Sequence, residues 1–236
     1  MHPQEFTHTA LETFQDDIFR PGGRIFVPAC PEIHTHERVR RHIFDLCPRA
    51  VVVVLNGEEK SLVWHARSRE TRSVEASETT ARTLDLRKFT LEKAVKADRS
   101  EEPRPPPQQA PLEVSDKIAL AMERYGLEDR PLLITGYICV GMGQTLLNAQ
   151  KMGNFTHAIL PSREGMRNLF MKTTPEVLYQ EAGRVTGRKH QNRTQILCPP
   201  SIRDNFVREE QKAIAVMDHA RGGDPHPVLR LRQEKP

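Results

Sequence analysis

Two arginines in the carboxyl-terminal third of the chain have neighbours suited to binding a phosphate group. Arg184 directly follows Gly183 and Arg188 directly follows Gly187, in the run Gln180-Glu181-Ala182-Gly183-Arg184-Val185-Thr186-Gly187-Arg188. A guanidinium stays protonated and binds phosphate oxygens in a bidentate fork, and glycine lets the backbone approach closely. Such an arginine can accelerate phosphoryl transfer by several orders of magnitude. The alternative is a basic helix end with a glycine cap, where the arginines only complement the helix dipole.

Composition predicts one large domain that carries a solvated segment. The chain has 236 residues, of which 37% are apolar and 28% are charged, and its net charge is +4. The 31 acidic residues are interspersed among 35 basic ones, so a nucleic-acid surface would have to be a local patch.

The cysteines and the apolar runs indicate a reducing compartment, cytoplasmic or nuclear, and no membrane partner. Four cysteines are scattered without a C-x-x-C pair, which is typical of reduced, buried thiols: Cys30, Cys47, Cys139 and Cys198. No apolar run reaches the length of a membrane span, and the polar amino terminus does not resemble a signal peptide.

Alternating strand and helix patterns predict an α/β fold with a mainly parallel sheet. The run at 50–55 is apolar on both faces, as a buried parallel strand is. The predicted strands are 24–28, 50–55, 132–135, 156–161 and 194–198. The predicted helices are 6–18, 34–46, one from the N-cap Ser115 to 125, one carrying Leu146 and Leu147, one starting at Thr174 and one over 201–220.

A polar segment divides this pattern. Residues 66–111 are rich in Arg, Glu, Ser and Thr and end in a proline tract, which predicts a partly disordered insertion with only a weak strand at 83–86 and a weak helix at 88–97. The fold would therefore comprise a first part at 1–65, a second at 112–220 and a flexible tail at 221–236.

Three segments in order resemble the second, C-terminal RecA-like domain of superfamily 2 DNA or RNA helicases. They are the strand Gly22–Pro28, the stretch Ile134-Thr135-Gly136-Tyr137-Ile138-Cys139-Val140-Gly141-Met142-Gly143, and Gln180-x-x-Gly183-Arg184. The resemblance covers roughly residues 20–65 and 112–200. It implies a RecA-like three-layer fold, and the combination with a polar insertion is similar to what a large DNA virus would encode.

The resemblance also implies roles. Arg184, with Arg188 behind it, would face the terminal phosphate of a nucleotide bound between two RecA-like domains, and Gln180 would help to orient that network. These three are the candidate catalytic residues, with Gly183 and Gly187 as candidate nucleotide contacts.

A second set of positions would contact DNA or RNA. The hydroxyl of Thr135 and the backbone at Gly136, Gly141 and Gly143 correspond to the nucleic-acid contacts of the fifth helicase motif. A hydroxyl and exposed N–H groups bind phosphate oxygens without reading base sequence.

Departures from the family pattern limit what the chain can do alone. Gly187 stands where the second motif arginine is usual, so Arg188 comes one residue late, while Gly136 and Gly143 stand where acidic or amide residues are common. The sequence contains no G-x-x-x-x-G-K-[ST] phosphate loop. ATP with Mg²⁺ would bind only if a second RecA-like domain or a larger complex supplied that loop in trans, and we expect no turnover by the chain alone.

Two functions from different classes fit these residues. The first is an ATP-dependent nucleic-acid motor in which this chain supplies an arginine finger. The second is a non-catalytic nucleic-acid-binding or assembly module derived from a helicase half.

Other clusters carry weaker signals. Cys30, His34, His36 and His42 crowd one segment, but their spacing is irregular for zinc, and a solvated helix start is favoured, so we assign no metal. The basic cluster Arg38, Arg40 and Arg41 favours a solvated helix face over a phosphate site. Trp64 favours packing over base stacking.

Overall fold

The computed structural model describes residues 2–28, 33–66, 81–89, 112–136, 146–162, 179, 181–183, 185 and 194–220. In chain order the elements are α1 (Pro3–Thr13), α2 (Gln15–Ile18), β1 (Arg24–Pro28), α3 (Ile33–Leu46), β2 (Val51–Leu55), β3 (Lys60–His65), β4 (Ala81–Asp85), α4 (Val114–Arg124), β5 (Leu132–Gly136), α5 (Ala149–Met152), β6 (His157–Ile159), β7 (Gln195–Leu197) and α6 (Pro200–Ala220). The predicted α/β class is confirmed, and the arrangement is consistent with a RecA-like three-layer fold.

The strands form one seven-stranded sheet in the order β4-β3-β2-β5-β1-β6-β7. In this order, the five strands from β2 to β7 run parallel to one another. Strands β3 and β4 add an antiparallel hairpin at the β2 side. The mainly parallel sheet predicted from the sequence is therefore confirmed, with β1 and β5 in its middle.

The central strands are buried along their whole length and largely apolar because both faces of the sheet are covered. Every residue of β1, β2 and β5 is buried. Successive side chains point to opposite faces, so Phe26 packs in the cluster that includes α4, while Ile25 and Val27 pack in the cluster that includes α1, α2 and α3. Because both faces are packed, the carboxyl ends of these strands are held in fixed positions relative to one another.

The amino-terminal helix is divided, whereas the sequence predicts one continuous helix. α1 begins with a capping box in which His2 Nδ1 accepts from Gln4 N at 3.3 Å and Glu5 Oε2 accepts from His2 N at 3.4 Å. The helix is interrupted at Phe14, which separates α1 from α2. Leu11 and Ile18, on either side of the break, are both fully buried in the core.

Part of the predicted polar insertion belongs to the sheet. β4 pairs antiparallel with β3, and Leu86 and Phe89 are buried in the core. The β3 strand lies outside every element predicted from the sequence. Trp64 on β3 is buried and its ring lies 4.8 Å from that of Tyr125, as the packing interpretation predicts.

Two predicted helix boundaries are wrong. The N-cap of α4 is Glu113 and not Ser115, which is buried within the helix. Leu146 and Leu147 precede α5 and do not lie on it, because Asn148 Oδ1 accepts from the backbone N–H groups of Gln150 and Lys151 and starts the helix after them.

A buried arginine closes the amino edge of the sheet. The Arg24 guanidinium donates to the carbonyl oxygens of Gly23 (2.9 Å), Glu128 (2.6 Å) and Arg130 (3.0 Å). Burial lowers the pKa of Arg24 from its ordinary value, while Asp129 and Glu128 oppose that shift. Since these contacts satisfy backbone carbonyls, Arg24 acts as a structural tie at the edge opposite to the candidate site.

Candidate functional site

The carboxyl ends of the parallel strands meet along one edge of the sheet. In the register, Gly136 at the end of β5 lies between Leu55 at the end of β2 and Pro28 at the end of β1. The loops that follow β1, β5 and β6 therefore all start at this edge. In open α/β sheets this is the edge where ligands bind.

The connections that leave β1 and β6 run toward opposite sides of the sheet. From β1 it passes through α3 to β2, and α3 packs in the cluster on one face. From β6 it passes to β7 on the opposite side, and Ala182 and Val185 of that connection pack in the cluster on the other face. The adjacent ends of β1 and β6 are thus a topological switch point, at which a crevice forms.

Thr135 is fully buried next to this edge. It precedes Gly136 on β5, and strand alternation places its side chain on the same face as Leu133, in the cluster with α3. Its exposed fraction is 0%, and Oγ1 has no hydrogen-bond partner within the described part of the chain. A buried hydroxyl without a partner costs free energy of folding.

A buried polar pair joins the end of β2 to the first turn of α3. Asn56 Nδ2 lies 3.2 Å from His36 Nδ1, and both residues are buried. Asn56 Oδ1 accepts from the backbone N–H groups of Glu58 (2.9 Å) and Glu59 (2.5 Å). The expectation of a solvated helix start is therefore wrong for His36, whose ring orients the turn after β2.

The arginines of α3 are mostly solvated or paired with acids. Arg40 forms ion pairs with Glu37 and Glu59, and Arg41 lies 3.9 Å from Glu37. Arg38 and Arg41 are exposed, in agreement with the solvated-face interpretation. Arg38, on the second turn of α3, leaves a positive charge near the carboxyl edge.

Of the candidate phosphate-binding run, the structure describes only a few residues. Positions 181–183 and Val185 are helical, and Ala182 and Val185 are buried in the core cluster of α4. Gly183 is exposed, with no atom within 4 Å of the place a Cβ would occupy. The predicted site residues that lie outside the described residues are Gln180, Arg184, Gly187, Arg188, Gly141 and Gly143.

The described part of that run is anchored to the sheet. Thr194 Oγ1, just before β7, lies 2.8 Å from the carbonyl oxygen of Phe155 and 3.0 Å from that of Val185. Val185 is thus tied, through Thr194, to the segment that enters β6.

The thiols within the described residues are structural. Cys47 is buried and Cys198 is half-buried, and both are free. Burial raises the pKa of the Cys198 thiol, although Arg203 opposes the shift. A raised pKa disfavours the nucleophilic thiolate.

Comparison with known proteins gives no assignment. No protein-family model, no curated protein and no solved structure matches this chain. Among the described helices, none has the length and apolar character needed to cross a membrane.

Proposed function

We propose that this chain acts as a helicase C-terminal-type RecA-like domain that binds nucleic-acid phosphates at the carboxyl edge of its sheet. The observation that carries the proposal is the position of Thr135-Gly136 at the carboxyl end of the central strand β5, between the ends of β1 and β2. The glycine-bearing segment resembling the fifth helicase motif starts directly after it.

Within the same proposal, Arg184 serves as an arginine finger for a nucleotide held by another domain. Gln180 and Arg188 would assist it, and the phosphate loop and the Mg²⁺ ligands would come from a second RecA-like domain or a larger complex. The chemistry is stabilisation of charge on the transferring phosphate by a fixed cation. The buried Ala182 and Val185 support it, because they anchor the positions on either side of Arg184 in the sequence.

Charge reversal tests which edge of the sheet binds nucleic acid. The Arg38→Glu change places an acid on the second turn of α3, near the carboxyl edge, while Arg20→Glu places one at the amino edge. We expect Arg38→Glu to weaken binding of a fluorescein-labelled single-stranded 20-mer by about tenfold and Arg20→Glu by less than about twofold. Equal losses, or a larger loss with Arg20→Glu, would contradict the proposed edge.

ATP hydrolysis tests the need for a second domain. The purified chain should show no turnover alone or with single-stranded or duplex nucleic acid, since the sequence holds no phosphate loop. Turnover that is stimulated by nucleic acid and lost in Arg184→Ala would mean that the chain holds a complete nucleotide site, and the trans arrangement would be wrong. Nucleic-acid binding with no turnover in any larger assembly would favour the non-catalytic module.

A further inference from the structure

The amino-terminal helix α1 covers the crevice at the switch point between β1 and β6. Pro3, Gln4 and Thr7 of α1 line a cavity there together with Pro28 at the end of β1 and Pro161 just after β6. The cavity measures only about 10 Å³, which is about the volume that one water molecule occupies. The first two turns of α1 therefore fill the place where an open α/β sheet ordinarily binds a ligand.

Both halves of α1 contact α3. In the second half, Ala10 and Leu11 are buried in the cluster with Val39 and Ile43 of α3. In the first half, Thr7 lines the cavity together with Thr35 and Val39 of α3, and a ring stack adds a further contact. The His8 and His42 rings lie 4.1 Å apart at an interplanar angle of 12°.

A carboxylate completes this contact. Glu12 Oε1 lies 3.2 Å from His42 Nε2, but the two are not aligned for a hydrogen bond. Partial burial lowers the pKa of His8 from its ordinary value, with His42 and Arg38 adding to the shift and Glu12 opposing it. Two neutral rings can stack at this distance, whereas two protonated rings would repel each other.

We propose that α1 is a cap that opens and closes over the carboxyl-edge crevice, latched by the His8–His42 stack, and that it limits access of nucleic acid to that edge. Pro28 lies under the cap and next to Gly136 in the register, so opening α1 would clear the start of the segment that follows β5. That α1 opens is independent of the function proposed above, whereas the effect on nucleic-acid binding rests on it.

Two substitutions at one exposed position alter the cap without touching the crevice or the latch. Thr9 is exposed on α1. Glycine and alanine differ in helix propensity enough to change an opening equilibrium about fivefold, with Thr9→Gly loosening α1 and Thr9→Ala tightening it. The matched latch variant is His8→Ala, which removes the stack. The control is His2→Ser, which keeps an N-cap acceptor and leaves the stack intact.

Hydrogen exchange measures the opening directly. We expect the amides in residues 6–13 to exchange with a smaller opening free energy than those of α4, and their protection to be about fivefold lower in Thr9→Gly than in Thr9→Ala and also reduced in His8→Ala. If the amides of α1 and α4 exchange with the same opening free energy, α1 opens only when the whole domain unfolds, and the cap is overturned.

Binding of the labelled single-stranded 20-mer measures the consequence. When only the open form binds, apparent affinity follows the open fraction, so Thr9→Gly should bind up to about fivefold tighter than Thr9→Ala, with His2→Ser equal to the wild type. Equal affinities of the two Thr9 variants despite different exchange would overturn the regulatory role of the cap. Absence of binding by every variant would contradict the proposed nucleic-acid function, and the exchange result alone would then decide whether α1 opens.

Discussion

Thr135 carries a hydroxyl that the fold buries without satisfying. Its hydroxyl is fully buried without a partner in the described part of the chain. Valine has nearly the same shape and no hydroxyl. Thr135→Val should therefore raise the free energy of unfolding by about 1 kcal/mol, measured by urea denaturation.

The matched control is Thr135→Ser, which keeps the hydroxyl and removes only a methyl group. It should lower stability by about 1 kcal/mol and leave the affinity for nucleic acid nearly unchanged. A loss of stability in Thr135→Val would mean that the hydroxyl is satisfied by a hydrogen-bond partner.

The Asn56–His36 pair should be energetically coupled. Asn56→Ala removes the acceptor of two backbone N–H groups and the partner of the His36 ring, so it should cost about 2 kcal/mol of stability. His36→Ala should cost a similar amount. In a double-mutant cycle by urea denaturation, the two losses should be less than additive, and full additivity would show that the pair does not interact.

His157 makes stability depend on pH. The residue is 1% exposed, and burial lowers its pKa, with Arg20 adding to the shift and Asp17 and Gln195 opposing it. Because His157 binds a proton more readily in the unfolded chain, the contribution of its neutral form to the free energy of unfolding is fully present above about pH 6.5. That contribution is lost as the pH falls from there toward the folded-state pKa.

Replacing this histidine should reduce that dependence. The urea midpoint of the wild type should fall between pH 7.5 and pH 5.5, and His157→Gln should show a smaller fall over the same range. Some dependence should remain, because His8 shifts in the same direction. An unchanged pH dependence in His157→Gln would remove His157 as a cause.

Among the connections between elements, the turn from α2 into β1 contains Gly23, where a side chain has very little room. A Cβ at Gly23 would lie 2.5 Å from the carbonyl oxygen of Ile18, whereas one at Gly57 would meet nothing within 4 Å. Gly23→Ala should cost about 1–3 kcal/mol because backbone atoms must move, while Gly57→Ala should be within about 1 kcal/mol of the wild type. Thermal unfolding compares the two, and equal stability would contradict the packing argument.

The elements that the sequence predicts correctly are those with an unambiguous pattern. β1, β2 and β5 are largely apolar and fully buried because both sheet faces are covered, and α3 has a clear apolar stripe. β3 escapes prediction and β4 is predicted only as a weak strand at 83–86, because the two form an edge hairpin in which β4 has three exposed residues and an ordinary polar composition. Pairing with a distant strand, and not local preference, determines their structure.

At the scale of the whole molecule, the sequence predicts the candidate site only in part. The position of Thr135-Gly136 at the carboxyl edge follows from β5 being a parallel strand, which its apolar pattern indicates. The His36–Asn56 pair and the cap by α1 do not follow, because they depend on how α1 and α3 lie across the sheet. The roles of Arg184, Arg188 and Gln180 stay predictions.

The most direct test of the central claim is the salt dependence of binding to a labelled single-stranded 20-mer. If the carboxyl edge binds phosphates, the logarithm of the association constant should fall linearly with the logarithm of salt concentration between about 50 and 200 mM, with a slope equivalent to a few phosphate contacts. The slope should become shallower by about one contact in Arg38→Glu and stay unchanged in Arg20→Glu. Absence of binding, or binding that is insensitive to salt, would contradict the account.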